Sequence, residues 1–386
     1  DLWRSTTPMD GPSWGAWPVG GAWLMTQLQE HYRYSGDDAY LRSIYPLLRD
    51  QVRFLLDVLV EHPQRHWLVT APSNSPENYP GWPGNGFFFD EVSGIGLTAR
   101  TMTAGPTMDM QIIRDVLDAF VESQAHLANV PTTHSNTKTT IDSLGSRGDS
   151  ALAAQARIAR GRLAPNQVGK HGQLQEWLDD WEEIEPEHRH LSPLWGLYPG
   201  SEITPEETPV FAAAAAVTLD RRGTGGCGWS YAWKMGLRAR LTQGDSAWSQ
   251  FRALLTRSSL PNLFSLCGRA MQVDANFGGT AAIAEMLLQS HGGIVRLLPA
   301  LPADWAQGTV HGLKARGGFE IDLAWSAGHL THATMRSHIA HLAVLRSRER
   351  LEITTNGRPV HVRQRDARTV AFDALPGLVY EVRAVR

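Results

Sequence analysis

Two carboxylates, far apart in the chain, have the residue types and neighbours that acid–base chemistry requires. Glu176 lies in HGQLQEWLDDWEE, His171 to Glu183, between Gln175 and Trp177. If QEWLDDWEE is helical, Leu174, Trp177, Leu178 and Trp181 share one apolar face. Glu176 then points away from that face, as part of a solvated acidic surface. If the acidic face lines a cleft instead, burial beside Trp and crowding by Asp179, Asp180 and Glu183 would favour the protonated carboxyl. Such a carboxyl can give its proton to a leaving oxygen. Asp274, in MQVDANFGGTAAIAEMLLQS, stands just before a clear helix. It reads either as an N-cap, in competition with Asn276, or as a carboxylate kept ionised by the helix dipole and loop amides, as a general base must be. Two carboxyls in one pocket with opposite protonation states are what glycoside hydrolysis uses.

Two other stretches have the makings of a polyol-binding surface. In EPEHRHLSPLWGLYPG, Arg189 and His190 precede Trp195 and Tyr198, which places donors beside aromatic platforms. His188 and His190 read equally as ordinary histidines, and His-X-His offers zinc two ligands with no clear third nearby. In APSNSPENYPGW, Asn74, Glu77 and Asn78 are usual loop residues, or short polar side chains held in fixed directions by a Pro-stiffened loop. The chain contains 14 Trp, of which only Trp305 and Trp325 lie beyond residue 248. Flat amphipathic indoles suit both cores and sugar-stacking surfaces. There is no Walker loop, no Rossmann glycine fingerprint and no G-x-S-x-G elbow.

The elements that must position these residues fall into two kinds. Helical spacing runs through GGAWLMTQLQEHYRY and through DDAYLRSIYPLLRDQVRFLLDVLVEH, which Asp37 or Asp38 caps and Pro46 interrupts or restarts. A Pro/Asn/Gly-rich loop is expected between Trp67 and Gly94, and further helices at 106–130, 147–161, 207–219, 228–243, 245–257 and 277–290, the last stopping at Gly292-Gly293. From about residue 294 the pattern changes to short alternating runs bounded by turn residues, which predicts an antiparallel β domain, a sandwich. The chemistry is therefore placed in the helical part. A net charge of −3 over 386 residues argues against nucleic-acid or anionic-membrane partners. Nothing in the chain is a run of about 18 uncharged apolar residues. Cys227 and Cys267 could pair or stay free. The opening DLWRSTTPMD has no signal-peptide pattern and reads as mid-domain sequence, so the chain is expected to be part of a longer polypeptide.

Taken in order, DLWRSTTPMD, WPVGGAWL, SNSPEN, GPTMDMQIIRD, GQLQEW, HRHLSPLWGLYPG, GGCGWSYAWK, VDANFGGTAAIAEMLLQS, LLPALP and GLKARGGFEIDLAW resemble glycoside hydrolase family 95, the inverting α-L-fucosidases. The resemblance implies a mainly α fold: an (α/α)6 barrel over residues 1–293, its first helices upstream of this chain, followed by a C-terminal β domain over 294–386. It implies Glu176 as general acid and Asp274 as general base. On this reading Arg189, His190, Glu77, Asn78 and Trp17 hold the sugar. Neither metal nor organic cofactor is called for, because two carboxyls and water supply the chemistry. Inversion requires carboxyl groups roughly 6.5–9.5 Å apart. The implied substrate is an oligosaccharide or polysaccharide bearing L-fucose or L-galactose, and the implied location is the periplasm or the exterior.

The family's water-holding N-x-N asparagines lie upstream of the D-L-W-R segment. Without them, sugar binding with little turnover is the expectation, and a toroid serving only as a protein-docking surface is a further alternative. Three positions depart from the family's common form: Pro193 where His is frequent, LFSLCGRAMQVD before the base, and Ala275 where Gly is usual. The last would matter if that position needs a positive φ.

Overall fold

The computed structural model describes residues 16–82, 88–89, 96–97, 101–129 and 147–385. It divides into two compact units, Asp1–Tyr32 with Asp37–Gly196 and Arg33–Gly36 with Leu197–Arg386.

Among the described residues the first unit has four helices: α1 (Gly20–Ser35), whose last three residues count with the second unit, α2 (Asp38–Val58), α3 (Thr107–Asn129) and α4 (Arg147–Arg162). Asp37 caps α2, its Oδ1 accepting from the amides of Ala39 and Tyr40 at 2.8 and 3.1 Å. Leu41, Ile44, Tyr45, Leu48, Val52 and Leu55 recur every three or four residues and are buried. That stripe carries α2 through Pro46 without a break, although the proline removes one backbone bond. α3 is a central helix, with every residue from Thr107 to Arg114 buried. Four of those buried residues, Thr107, Asp109, Gln111 and Arg114, are polar or charged.

Short ladders join the loops of this unit. β1 (Leu59–Glu61) pairs with β2 (Leu68–Thr70), and β3 (Pro80–Gly81) pairs with β6 (Glu182–Glu183). β4 (Phe88–Phe89) pairs with β5 (Gly96–Leu97). At the second ladder a Cβ on Gly81 would stand 2.5 Å from the Glu182 carbonyl oxygen, so only glycine lets the two loops approach.

The helical reading of QEWLDDWEE is overturned. Residues 171–181 are irregular and run into β6. Their backbone groups bond to other segments: the Gln175 amide donates to the Gln167 carbonyl at 2.9 Å, and the Glu176 carbonyl accepts from the Thr107 amide at 3.0 Å. Two of the acids expected to crowd Glu176, Asp179 and Asp180, are held by other partners, as is Glu182. Asp179 meets Arg65 at 2.5 Å, the Asp180 carboxylate accepts from the Lys170 amide at 2.6 Å, and Glu182 meets Lys170 at 2.6 Å.

The second unit begins with α5 (Pro209–Arg221), α6 (Gly228–Arg240), α7 (Gly244–Arg257) and α8 (Asp274–Leu287), with the hairpin β7 (Leu266–Cys267) and β8 (Ala270–Met271) preceding α8. α8 ends at Leu287, short of the predicted 290, because Leu288–Gln289 leave the helix as β9 and pair with β10 (Val295–Leu297). Gly292 and Gly293 supply the positive φ of the turn between them. Arg240 and Glu285 tie α6 to α8 through a buried two-point ion pair at 2.6 and 3.2 Å.

The remaining strands are β11 (Gln307–Ala315), β12 (Phe319–Ser326), β13 (His329–Ser337), β14 (His341–Arg346), β15 (Arg350–Thr355), β16 (Arg358–Pro359), β17 (Arg363–Asp366), β18 (Thr369–Ala374) and β19 (Val379–Val385). They form one sheet in the order β17-β18-β14-β10-β9 and another in the order β11-β12-β13-β19-β15-β16. Phe319, Ile321, Met335 and Val382 of one sheet share a core with Leu345, Val370 and Phe372 of the other. Pairing is antiparallel as predicted, except that β10 runs parallel to β14.

Cys227 and Cys267, left open by the sequence, are bridged. The bridge fixes the start of α6 to the hairpin before Asp274, where a Cβ on Gly228 would meet the Leu266 carbonyl oxygen at 2.8 Å. Closing a loop with a sequence separation of 40 removes chain entropy worth about 4 kcal/mol from the unfolded state. Cys227→Ser with Cys267→Ser should therefore lower the unfolding free energy by about 2–4 kcal/mol in urea titrations. An unchanged midpoint and slope would contradict this.

Candidate active site

Glu176 is 4% exposed, so the solvated-surface reading of this residue is overturned. Ser75 Oγ donates to its Oε1 at 2.6 Å, and Asn78 Nδ2 donates to its Oε2 at 2.9 Å. The Asn78 amide has one sensible orientation, because its Oδ1 accepts from the Tyr79 amide at 2.8 Å. The Ser75 hydroxyl is a rotor: it can donate to a carboxylate or turn and accept from a carboxylic acid. These two partners can therefore meet Glu176 in either protonation state without moving heavy atoms. The backbone beneath is pinned to the first turn of α3, where Thr107 Oγ1 donates to the Gln175 carbonyl at 2.6 Å.

The segment that supplies Ser75 and Asn78 is itself fixed. Ser73 and Thr103 exchange backbone bonds at 2.9 and 2.6 Å, and Ser192 Oγ donates to the Pro76 carbonyl. Ser73, Asn74, Ser75 and Asn78 are buried, so these four polar residues of SNSPEN face inward and are not an ordinary solvated loop.

Glu77 gathers the second set of predicted residues. Its Oε2 lies 2.8 Å from Arg189 Nη2 and 3.1 Å from His190 Nε2. The bond from His190 and the positive charges of His190 and Arg189 hold the Glu77 carboxyl below its usual range, against the opposing effect of burial. The His188 and His190 rings stack with centroids 5.2 Å apart. His188 Nδ1 faces the Glu185 carboxylate at 2.7 Å, and burial pushes its pKa down to about 4, so it is neutral at pH 7 with its proton on Nδ1. The Trp181 ring lies 5.2 Å from that of Trp82 and 6.5 Å from that of Trp177, the residue after Glu176.

Trp17 is half-buried, and its indole nitrogen donates to Asp109 Oδ1 at 2.7 Å. The sequence reading passed over Asp109, along with Ser75 and Gln111. Asp109 is fully buried on α3 and also accepts from Thr70 Oγ1 at 2.5 Å and from Ser73 Oγ at 2.6 Å. Gln111, two residues on, donates to the Pro193 carbonyl at 2.9 Å and accepts from the Gly196 amide at 2.7 Å, which holds the segment after His190. The available signal was GPTMDMQIIRD itself: polar side chains at 109, 111 and 114 inside an apolar run are out of place on a surface helix.

Burial pushes the Asp109 pKa up to about 6, against the three hydrogen bonds that lower it. The folded protein therefore binds this proton more tightly than the unfolded chain does. The group's unfavourable contribution grows as pH rises from about 4 to about 6 and is constant above that, at about 3 kcal/mol. Relative to the parent protein, Asp109→Asn should gain stability by about this amount between pH 4 and pH 7, read from urea unfolding at both values. A difference that does not change with pH would contradict the assignment.

In the second unit, Asp274 is exposed in the first turn of α8. The N-cap reading of Asp274 is overturned: Val273 occupies that position, and no side chain caps it. Asn276 serves the preceding loop instead, accepting from Ser265 Oγ at 2.8 Å and donating to the Leu263 carbonyl at 2.8 Å. Ala275 is buried within the helix and absent from the positive-φ residues, so an alanine there carries no backbone strain. Phe264, Met271, Val273 and Phe277, in the stretch that leads into and opens α8, are all exposed.

The fold is shared with a solved structure provisionally assigned as a kojibiose phosphorylase from the human microbiome. The TM-score is 0.52 at 9% identity, covering 94% of this chain and 46% of that one. The chain belongs to glycoside hydrolase family 95: residues 1–287 match the glycosyl hydrolase family 95 catalytic domain, and residues 289–382 match the family's C-terminal domain. It is 38% identical over 343 residues to alpha-L-fucosidase 2 of Arabidopsis thaliana, covering 86% of this chain and 37% of that protein. It is 30% identical to the "Probable alpha-fucosidase A" of Aspergillus niger, covering 83% of this chain and 39% of that protein. The chain thus spans about two fifths of the length of these relatives.

Proposed function

We propose that this chain carries the acid and the base of an inverting α-L-fucosidase on an (α/α)6 barrel. Glu176 protonates the glycosidic oxygen, and Asp274 takes a proton from the water attacking the opposite face of the sugar. Arg189, His190, Glu77, Asn78 and Trp17 hold the fucosyl residue and its surroundings. The observation that carries this reading is the buried Glu176 carboxyl, with one oxygen on a reversible hydroxyl and the other on an amide donor. A solvated glutamate would have no such cradle. The names of the relatives support the choice of sugar, and the bridge between Cys227 and Cys267 supports an oxidising location, the periplasm or the exterior.

Proton NMR of an α-L-fucoside digest tests the mechanism. The first free sugar to accumulate should be β-L-fucose, before mutarotation, and initial release of the α anomer would overturn inversion. The same assay with an α-L-galactoside tests the sugar, since an apolar subsite rejects one added hydroxyl by only about 10²-fold. A faster galactoside would replace the fucoside assignment.

A further inference from the structure

We infer that Asp109 is a positioning residue for Glu176, acting through the Thr70–Asn78 segment. The inference rests on the fucosidase reading above for its kinetic consequence, but its geometry stands on its own. Asp109 Oδ2 accepts from Thr70 and Ser73, at the start of the segment whose later residues Ser75 and Asn78 hold the Glu176 carboxyl. Its Oδ1 accepts from the Trp17 indole, across 92 residues of sequence. On α3, Asp109 is two residues from Thr107, whose amide and hydroxyl hold the backbone of Gln175 and Glu176. One helical turn therefore fixes the acid's main chain directly and the acid's side-chain partners through Asp109.

An ionised carboxylate suits this task because it only accepts. All three donors must point at it, so the indole of Trp17 and the hydroxyls of Thr70 and Ser73 each have a single orientation. The burial cost of that carboxylate runs against stability, so holding these donors in place is the return for keeping an acid here. An amide can satisfy the same partners: its oxygen takes the indole hydrogen, and its two hydrogens meet the two hydroxyls once these turn to accept. Alanine leaves all three donors without their acceptor.

The test compares Asp109→Ala and Asp109→Asn with the parent protein on an unactivated fucosyl oligosaccharide and on an aryl fucoside. A group acting through the general acid should show the acid's own leaving-group dependence. For Asp109→Ala, kcat should fall more than about tenfold on the oligosaccharide and by clearly less on the aryl fucoside, with Asp109→Asn restoring most of the loss. Equal losses on both substrates, or no loss in a folded Asp109→Ala, would overturn the role.

A second measurement is independent of turnover and of whether the alanine variant folds. In 1H–15N spectra of the parent protein, the Trp17 indole and the Asn78 side-chain amide should shift together with a midpoint near pH 6. In Asp109→Asn that shared step should vanish. An Asn78 amide that titrates unchanged in Asp109→Asn, or a Trp17 indole that does not titrate in the parent, would refute the coupling. If hydrolysis is absent but the shared step is present and lost in the variant, the fucosidase reading fails and the positioning network stands.

Discussion

Glu176→Gln should lower kcat on an unactivated fucosyl oligosaccharide by about 10²–10⁴-fold, the range for losing a positioned general acid. The loss should be much smaller on an aryl fucoside with a good leaving group, which departs with little protonation. The substitution is clean because the pocket accepts glutamine in one orientation. Asn78 Nδ2 can only donate, so the glutamine oxygen must face it, and the glutamine amide then faces Ser75, whose hydroxyl turns to accept. Shape and these two hydrogen bonds are kept, and the transferable proton is lost. Thermal unfolding should move little, which separates a chemical from a structural effect. Full activity of the variant on the oligosaccharide would remove Glu176 from the acid's role.

The helices were legible in the sequence because their burial follows local spacing. α2 is the clear case, with a capping Asp37 and a stripe from Leu41 to Leu55. Period-two alternation likewise marked the β strands, but it carries no information on partner direction, and the parallel β10–β14 pair was out of its reach. The environment of Glu176 was illegible for a different reason. Its partners Ser75 and Asn78 are 101 and 98 residues away, and its backbone is held by Thr107. Spacing within QEWLDDWEE describes a helix that those distant bonds replace. Asn78 and Glu77 therefore entered the sequence reading as parts of a Pro-stiffened polar loop with no link to Glu176, whereas Asp109, which links the Ser75 segment to Trp17, entered only within the segment GPTMDMQIIRD and with no role. A polar residue in an apolar helix signals burial, yet only tertiary structure says which donors it gathers. Asp274 shows the opposite case: the helix it opens was plain, but the exact first residue was not, since end positions depend on cap geometry.

Asp274→Asn should depress turnover on the oligosaccharide and the aryl fucoside alike, by about 10²–10⁴-fold, because both reactions need the same deprotonated water. Among the described residues no side chain hydrogen-bonds to Asp274, so its carboxylate is open to accept a proton. The dipole at the start of α8 favours a negative charge there. Asparagine keeps the shape and gives up that interaction, worth about 0.3–1 kcal/mol at an exposed site, so the variant should fold. The bridge between Cys227 and Cys267 and the Asn276 bonds to Ser265 and Leu263 hold the loop leading into the helix, and neither depends on the charge of residue 274. Azide supplies the decisive arm of the experiment, since it attacks without being deprotonated. With an aryl fucoside, azide should restore part of the lost turnover in Asp274→Asn and give the fucosyl azide of inverted configuration. It should do nothing comparable for Glu176→Gln on the oligosaccharide, where the missing proton belongs to the leaving group. Rescue of the wrong variant, or an azide product of retained configuration, would reverse or abolish the roles given to the two carboxyls.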